Sequence, residues 1–370
     1  MSDKARIGNM AELEELADPG GAFREVAFGA LVGLAAKHSG GTALLGDTAV
    51  LAAEAYRKSL IGRAFPSFWM EVPLSGNPGF DLHVYYDRGK VLPGERFASG
   101  CGFGMQALFD WFFGVETGGV GVGFAHDLRD GSDAVGAYVN FYRKPLVDER
   151  GFFASFGAAE AYDHVAKLLS RLPSSWGAWY FGIFPDRPGA GVRVGLIVSA
   201  ERQAAYAADT RAIADDLAQV GFMALDGRML EHLSAMAASP FTLELQLDVT
   251  EEGVGNTLGA DLALNSALTA GSDPLSLEDS NIERAYKLLE AWDMADSRWR
   301  RIAEASMSDI VPLGGEEEKA LFLFLTCAPA FIKAKWVLAQ PQPAKVYLIC
   351  ATRLLGSQTV GASLLSKIVT

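Results

Sequence analysis

The sequence is poor in cysteine and in positive charge, and each shortage excludes a class of protein. The three cysteines, Cys101, Cys327 and Cys350, lie far apart and form no Cys-x-x-Cys motif. This argues against a cysteine-based zinc site and favours a reducing compartment. Lysine and arginine total 32 against 45 aspartates and glutamates, which gives a net charge of -13. We therefore expect neither a broad nucleic-acid surface nor docking on anionic lipid.

Apolar runs long enough to cross a membrane are also lacking. The longest of them, such as residues 320–332, are too short to span a bilayer. The first twenty residues are polar and acidic, with no apolar segment ahead of a cleavage site, so we expect no signal peptide. These features predict a cytoplasmic protein without a membrane partner.

Hydrophobic residues, by contrast, make up 50% of the chain, which is enough to bury a large core. The composition does not shift along the sequence, and we find no low-complexity linker. We predict an N-terminal extension over residues 1–21 and a single domain over residues 22–370.

The main pattern is a helical stretch followed by a β-hairpin with strictly alternating arms, and it recurs five times. In the fifth hairpin, Lys333 and Lys335 share one parity while Ile332, Ala334 and Trp336 share the other. Successive strand side chains point to opposite sides, so each arm has an aliphatic face and a polar, aromatic face. The hairpin arms are predicted at residues 68–73 and 80–86, 119–128 and 134–143, 177–184 and 191–199, 241–249 and 258–265, and 332–338 and 345–353.

Turn and helix signals complete the fifth unit. Gln340-Pro341-Gln342-Pro343 has turn chemistry and is predicted to join its two arms. Apolar periodicity predicts helices over residues 281–307 and 316–326 ahead of this hairpin.

Ten antiparallel strands in series favour a closed sheet. Closure removes the two exposed edges that an open sheet of this size would leave. We predict an α/β (α+β) antiparallel ten-stranded barrel built from five α-α-β-β units, with helices outside and the polar face lining a cavity. The alternative is an open antiparallel sheet with helices on one face and water on the other. Aromatic residues mixed with charges of both signs favour the cavity.

Two short motifs, together with this order of elements, resemble those of a known protein family. Lys345-Val346-Tyr347 looks like a Lys-x-Tyr strand signature, and Glu71 lies within Met70-Glu71-Val72-Pro73-Leu74-Ser75. Together they resemble the ABBA-type aromatic prenyltransferases, over roughly residues 22–353. The Lys-x-Tyr pattern recurs on several strands in the indole-prenylating branch, whereas this chain has Tyr138-Val139-Asn140 and Arg193-Val194-Gly195 at the corresponding hairpins.

The resemblance implies transfer of a dimethylallyl or geranyl group from its diphosphate to an aromatic or peptide acceptor. It implies that Lys345 and Tyr347 hold the diphosphate and that Glu71 contacts the acceptor. His83 is an alternative base. The further candidates for the diphosphate are Lys333, Lys335, Arg193, Arg353 and Tyr142, and those for the acceptor or prenyl wall are Trp69, Tyr85, Tyr138 and Glu244. No cofactor is firmly expected, and Mg²⁺ is an option.

Each candidate also has an alternative interpretation. The lysines are equally suited to a solvated strand face. Glu71 would also suit a position at the rim or on the surface, and His83 would suit a structural hydrogen bond. An acidic patch of Glu244, Asp248 and Asp261 suits Mg²⁺, a cationic acceptor group or pairing with the lysines. The same sheet would also serve a non-catalytic peptide- or small-molecule-binding protein, or an open-sheet enzyme that uses His83 and Asp81.

Overall fold

The computed structural model describes most of the hairpin region. The described residues are 32–33, 42–47, 50, 51, 53, 68–87, 105–115, 121–128, 135–141, 146, 148–184, 191–264, 280–302, 307–314 and 321–356. The predicted N-terminal extension, residues 1–21, lies outside them.

The described elements alternate between helices and pairs of strands, as the repeated unit predicts. The strands are β1 Phe68–Pro73, β2 Asp81–Asp87, β3 Gly121–His126, β4 Val135–Asn140, β5 Trp176–Ile183, β6 Val192–Val198, β7 Thr242–Thr250, β8 Gly253–Ala263, β9 Met307–Gly314, β10 Leu321–Val337 and β11 Gln340–Gly356. The α-helices are α1 Thr42–Leu45, α2 Met105–Gly114, α3 Glu149–Ser155, α4 Ala161–Leu169, α5 Ala200–Ala208, α6 Thr210–Val220, α7 Gly227–Ala237 and α8 Ser280–Ala291. A 3₁₀ turn follows at Ser297–Arg301.

The strands close into a ring of ten. Each strand from β1 to β7 pairs antiparallel with the next, β8 pairs with β10, β10 with β11, and β11 returns to β1. The closing seam runs from Phe68 opposite Cys350 to Pro73 opposite Lys345. This closure confirms the predicted barrel and excludes the open sheet. The eleventh strand, β9, pairs with β10 over residues 321–327, on an extension of β10 that precedes its pairing with β8.

The two faces of the ring are sorted as the alternation predicts. Aliphatic side chains of the outer face, such as Leu245 and Leu262, form one buried cluster with helix residues such as Leu217 and Leu233. A second cluster of Ala125, Tyr138, Tyr180 and Phe184 lies on the inner face. The helices therefore cover the outside, and the polar, aromatic face encloses a lumen.

Glycines on the inner face leave room for aromatic rings that lie against the neighbouring strand. A Cβ at Gly195 would lie 1.9 Å from a ring carbon of Tyr180, and one at Gly123 would lie 2.7 Å from the ring of Tyr85. Only a residue without a side chain fits beneath such a ring. The rings are thereby held close to the wall rather than across the lumen.

The fifth unit differs from its prediction at the turn. Leu338 and Ala339 form a two-residue connection with φ of 51° and 60°, which is the backbone of a tight hairpin turn. The predicted turn at residues 340–343 is therefore wrong, and Pro341 lies within β11 opposite Trp336. The register of β11 with β1 starts only at Lys345, so the prolines occupy a part of the strand that needs fewer backbone donors.

Two predicted helices near this unit also need correction. Residues 321–326 of the helix predicted over 316–326 are part of β10, where a long strand pair overrides helical periodicity. The helix predicted over 281–307 ends at Ala291, because the chain turns through Asp293 with φ of 59° and then begins β9 at Met307.

Candidate functional site

The lumen contains a cavity with an empty volume of about 390 Å³. Its lining is mostly aromatic, with a few ionisable groups that converge from opposite sides. The lining residues are Trp69, His83, Tyr85, Tyr138, Trp179, Tyr180, Glu244, Gln246, Asp261, Phe331, Lys333 and Tyr347. An apolar pocket with a small number of placed polar groups is the usual form of a small-molecule site.

Glu71 is the centre of a buried ionic cluster at the closing seam. The Lys345 ammonium donates to Glu71 Oε1, and His83 Nε2 lies 3.1 Å from Glu71 Oε2. Lys345 Nζ also lies 3.9 Å from Asp81 Oδ2. The register explains the grouping, because Trp69 faces His83 and Glu71 faces both Asp81 and Tyr347 across the neighbouring strands.

The charge state of Glu71 is set by this cluster. Burial raises the pKa of the Glu71 carboxyl, but Lys345, the hydrogen bond from His83 and the charge of Lys333 outweigh burial. The resulting pKa is well below its usual range, so Glu71 is an anion at neutral pH. It is therefore suited to accept and orient an N–H or O–H group rather than to keep a proton.

Lys333 is the most buried of the candidate cations. Its Nζ donates to the Tyr347 hydroxyl at 3.3 Å and lies 5.8 Å from the centre of the Tyr347 ring. Burial and the charge of Arg193 lower the pKa of Lys333 to about 7, although Asp261 and Glu71 oppose this effect. Lys333 therefore changes charge near physiological pH.

Arg193 of β6 lies across the ring from Glu71 of β1 and is held by a carboxylate. Its Nε and Nη2 donate to the two oxygens of Asp248 at 2.8 and 3.3 Å. Its guanidinium also lies 5.0 Å from the centre of the Phe184 ring. Lys335 is half-buried, and burial together with the charges of Arg193 and Lys345 lowers its pKa.

The aromatic wall is built from rings of several strands. Trp69 stacks on Phe331 with ring centres 5.2 Å apart, and Tyr347 meets Trp69 edge-on at 6.1 Å. On the far side, Tyr138 lies 5.7 Å from Tyr180. Such rings exclude water and present π-faces to a cation.

The hairpin of β7 and β8 supplies an acidic part of the wall. Glu244 lies directly opposite Asp261, and the Gln246 amide donates to Asp261 Oδ2. Burial raises the pKa of Asp261 to about 6, against the opposing charge of Lys333.

Most of the candidates predicted from the sequence come together in the lumen. One candidate does not join them. Arg353 lies in β11 opposite Phe324, eight residues beyond Lys345 and about 26 Å along an extended strand. The structure describes its backbone only, and Tyr142 lies outside the described residues.

Four cavity residues, Trp179, Tyr180, Gln246 and Phe331, were not among the candidates predicted from the sequence. Trp179 and Tyr180 lie in an arm that is apolar on both sides, and a register shift between Ala178 and Tyr180 breaks its alternation. Phe331 precedes the predicted start of the fifth hairpin. Its parity with Lys333 was the signal that could have placed it on the inner face.

Across the described ranges, no group of three or more histidine, cysteine, aspartate or glutamate side chains is arranged to hold a metal ion. The described helices also include none that is long and apolar enough to cross a membrane.

Comparison with known proteins gives structural likenesses only. No protein-family model matches the chain, and no curated protein matches it. The chain is similar to the crystal structure of 6-dimethylallyltryptophan synthase from Micromonospora olivasterospora in complex with DMASPP and Trp. The two chains are 12% identical with a TM-score of 0.49, and the match covers 87% of this chain and 96% of the synthase. AnaPT from Neosartorya fischeri is 12% identical, with a TM-score of 0.40, and covers 81% of this chain and 82% of that one.

The closed ring of ten antiparallel strands, with helices outside, is the architecture that the resemblance implied. The fold fits an ABBA-type prenyltransferase barrel. In this barrel the two quoted motifs meet at the seam, since Lys345 and Tyr347 of β11 lie beside Glu71 of β1.

Proposed function

We propose that the protein is an aromatic prenyltransferase. It would move a dimethylallyl or geranyl group from its diphosphate to an electron-rich aromatic acceptor, which would be an indole, a phenol or a peptide side chain. The observation that carries the proposal is one aromatic-walled lumen in which the buried ammonium of Lys333 and the Glu71–Lys345 pair lie beside the stacked Trp69 and Phe331.

The reaction begins with the loss of a highly charged leaving group. The C–O bond of the donor breaks, the electron pair leaves with the diphosphate, and an allylic cation remains. Lys333, Lys335 and Lys345, with Arg193 across the ring, would stabilise that negative charge. Fixed cations in a low-dielectric site stabilise developing charge far more than they would in water.

The allylic cation must be kept from water until the acceptor attacks it. The rings of Trp69, Tyr85, Tyr138 and Tyr347 line the cavity and offer π-faces to the cation. A ring carbon of the acceptor then forms the new C–C bond and afterwards loses its proton. Restricting water in this way prevents hydrolysis of the reactive intermediate.

Glu71 is assigned to the acceptor. As an anion, it accepts the N–H of an indole or the O–H of a phenol and makes the ring more nucleophilic. His83 lies 3.1 Å from it and stands between Glu71 and the ring of Tyr138, so it is the nearest candidate to receive the proton that the ring releases.

Calorimetric titration with a non-ionising thiolodiphosphate analogue of dimethylallyl or geranyl diphosphate tests the proposal. We expect saturable binding that Lys345→Ala weakens about tenfold or more, which corresponds to about 1.4 kcal/mol. Lys287→Ala is the matched control, because Lys287 is an exposed lysine on α8 that pairs with Glu283. The titrations are run with and without Mg²⁺, since a diphosphate often carries that ion.

Failure of both analogues to bind under either condition would overturn the prenyltransferase proposal. Binding that is unchanged in Lys345→Ala would overturn the assignment of Lys345 while leaving the diphosphate site to be sought elsewhere in the lumen.

A non-catalytic binding protein is the second candidate, and the ion pairs favour it. Lys345 is paired with Glu71 and Arg193 with Asp248, so these cations are already neutralised without a ligand. Incubation with a donor diphosphate and a panel of indoles and phenols, analysed by mass spectrometry, separates the two. A prenylated product supports the enzyme, and tight ligand binding without any product supports the binding protein.

A further inference from the structure

Two buried oxygen atoms, one on Asp261 and one on Gln246, lie on the wall of the cavity. Asp261 is 4% exposed and Gln246 is 6% exposed, and both line the cavity. Within the part of the chain that the structure describes, Asp261 Oδ1 and Gln246 Oε1 have no hydrogen-bond partner. A buried acceptor without a donor is costly, so two such acceptors on one cavity wall indicate a ligand that supplies the donors.

The orientation of the Gln246 amide follows from its neighbour. Its NH₂ group donates to Asp261 Oδ2, and the reverse orientation would place the amide oxygen against a carboxylate oxygen. The amide oxygen therefore takes no part in this bond, and Gln246 and Asp261 both line the cavity. Gly259 lies opposite Gln246 in the register, where a Cβ would come within 3.1 Å of the Gln246 oxygen. The absence of a side chain at Gly259 makes room for the amide.

The charge around these oxygens favours a cationic donor over a neutral one. Glu244 lies directly opposite Asp261, so two carboxylates share this part of the wall. The rings of Trp179 and Tyr180 line the same cavity and offer π-faces to a positive charge. Lys333 lies opposite Asp261 on the other side, and its charge and that of Arg193 act to lower the pKa of Asp261, which burial raises. The Lys333 ammonium donates its hydrogen bond to the Tyr347 hydroxyl and not to Asp261 Oδ1.

We infer that the β7–β8 wall is a subsite for a protonated amine, with Asp261 Oδ1 and Gln246 Oε1 accepting its N–H groups. The inference rests on the proposed function and makes it more specific: the aromatic acceptor would carry a primary ammonium group. An ammonium has three donors and no acceptor, which matches the two oxygens Asp261 Oδ1 and Gln246 Oε1.

Binding of two near-isosteric probes tests this subsite. Tryptamine carries an ammonium where tryptophol carries a neutral hydroxyl on the same indole. We expect calorimetry at pH 7.5 to give at least about tenfold tighter binding of tryptamine to the wild-type protein. Asp261→Asn keeps the side-chain shape but removes the charge, and we expect it to bring the two affinities within about threefold.

The matched control is Asp215→Asn, an exposed aspartate on α6, which should keep the full preference for tryptamine. Gln246→Met provides a second variant that removes one acceptor without touching a charge, and it should weaken tryptamine more than tryptophol. Circular dichroism and thermal melting establish that each variant is folded before its affinities are compared.

Equal affinity for the two probes in the wild-type protein would overturn the inference, as would a full tryptamine preference in Asp261→Asn. No binding of tryptamine at millimolar concentration would overturn it as well. The thiolodiphosphate titration is performed without any amine, so its outcome is independent. Donor-analogue binding without amine preference would reject the subsite alone, and amine preference without donor-analogue binding would reject the prenyltransferase alone.

Discussion

At the scale of single residues, burial and neighbouring charges determine which groups of the lumen are protonated. Glu71 and Asp261 are both buried carboxyls, yet their pKa values move in opposite directions. Lys345 and the hydrogen bond from His83 overcome the burial of Glu71, whereas Lys333 does not overcome that of Asp261. Two groups of the same type are thereby prepared for different tasks.

Glu71→Gln should reduce prenyl transfer. The amide keeps the shape but no longer offers an anion to the acceptor N–H or O–H, so we expect kcat to fall by at least about 100-fold. Steady-state kinetics measure this, with Glu231→Gln, an exposed glutamate on α7, as the control. A kcat within a few-fold of wild type would remove Glu71 from the reaction.

Lys333 should make diphosphate binding pH-dependent. Because its pKa is lowered to about 7, its positive charge is present below pH 7 and is lost as the pH rises through this value. Affinity for the thiolodiphosphate analogue should therefore fall between pH 7 and 9, by up to about tenfold per pH unit. Titrations across this range measure the slope.

Lys333→Arg is the matched variant for this test, because arginine stays protonated throughout. Its slope should be distinctly flatter than that of the wild-type protein. Identical slopes would mean that another group is responsible for the pH dependence.

At the scale of elements, the hairpins combine a tight register with local exceptions that shape the lumen. Cys327 and Cys350 lie 23 residues apart in sequence, yet they face each other across β10 and β11 with their sulfurs 3.3 Å apart. Both are free thiols, and burial raises the pKa of Cys350 well above its usual value. Their proximity follows from strand pairing, which sequence spacing did not reveal.

Gly195→Ala should disturb the aromatic wall. The new methyl group would lie 1.9 Å from a ring carbon of Tyr180, so the ring must move away from β6 into the lumen. We expect a loss of about 1–3 kcal/mol in the free energy of unfolding, as for other overpacked sites. Urea denaturation measures the loss.

Gly177→Ala on the neighbouring β5 is the matched control. A Cβ there would meet nothing within 4 Å, and alanine restricts the unfolded chain more than glycine does. Its stability should equal or slightly exceed that of the wild type. A similar loss in both variants would mean that the Tyr180 contact is not the cause.

At the scale of the whole molecule, the ring is closed by pairing the first and last described strands. The β1–β11 seam joins residues that are more than 270 positions apart, as in the Lys345–Glu71 contact with a separation of 274. A closed ring has no free edge in its ten strands, so the hydrogen bonds between these strands should open together. The extension of β10 that carries β9 lies outside this ring.

Hydrogen exchange should therefore divide β10 into two parts. Amides at residues 331–337 pair between β8 and β11 within the ring and should exchange only through global unfolding. Amides at residues 321–327 pair with β9 on one side and with residues 350–356 of β11 on the other, and they should exchange faster because β9 is not part of the ring. Mass spectrometry of proteolytic peptides separates the two. Uniform protection along β10 would make β9 an integral part of the cooperative unit.

The sequence by itself determined the alternating strands, and with them which residues face the lumen. Parity placed Lys333, Lys345 and Tyr347 on the inner face, because the side-chain period of a strand is two whatever surrounds it. It also predicted the ten-stranded ring, since ten paired strands leave costly edges unless they close.

Only the tertiary structure decided which lumen groups meet and which charges they hold. The partners of Glu71, the opposing shift of Asp261 and the rings of Tyr180 and Phe331 depend on register between strands that are distant in sequence. The turn at Leu338 and Ala339 was equally hidden, because pairing with β8 and β1 fixes the ends of the last hairpin more strongly than local turn chemistry does. Burial and register are properties of the closed ring, and no local stretch of sequence contains them.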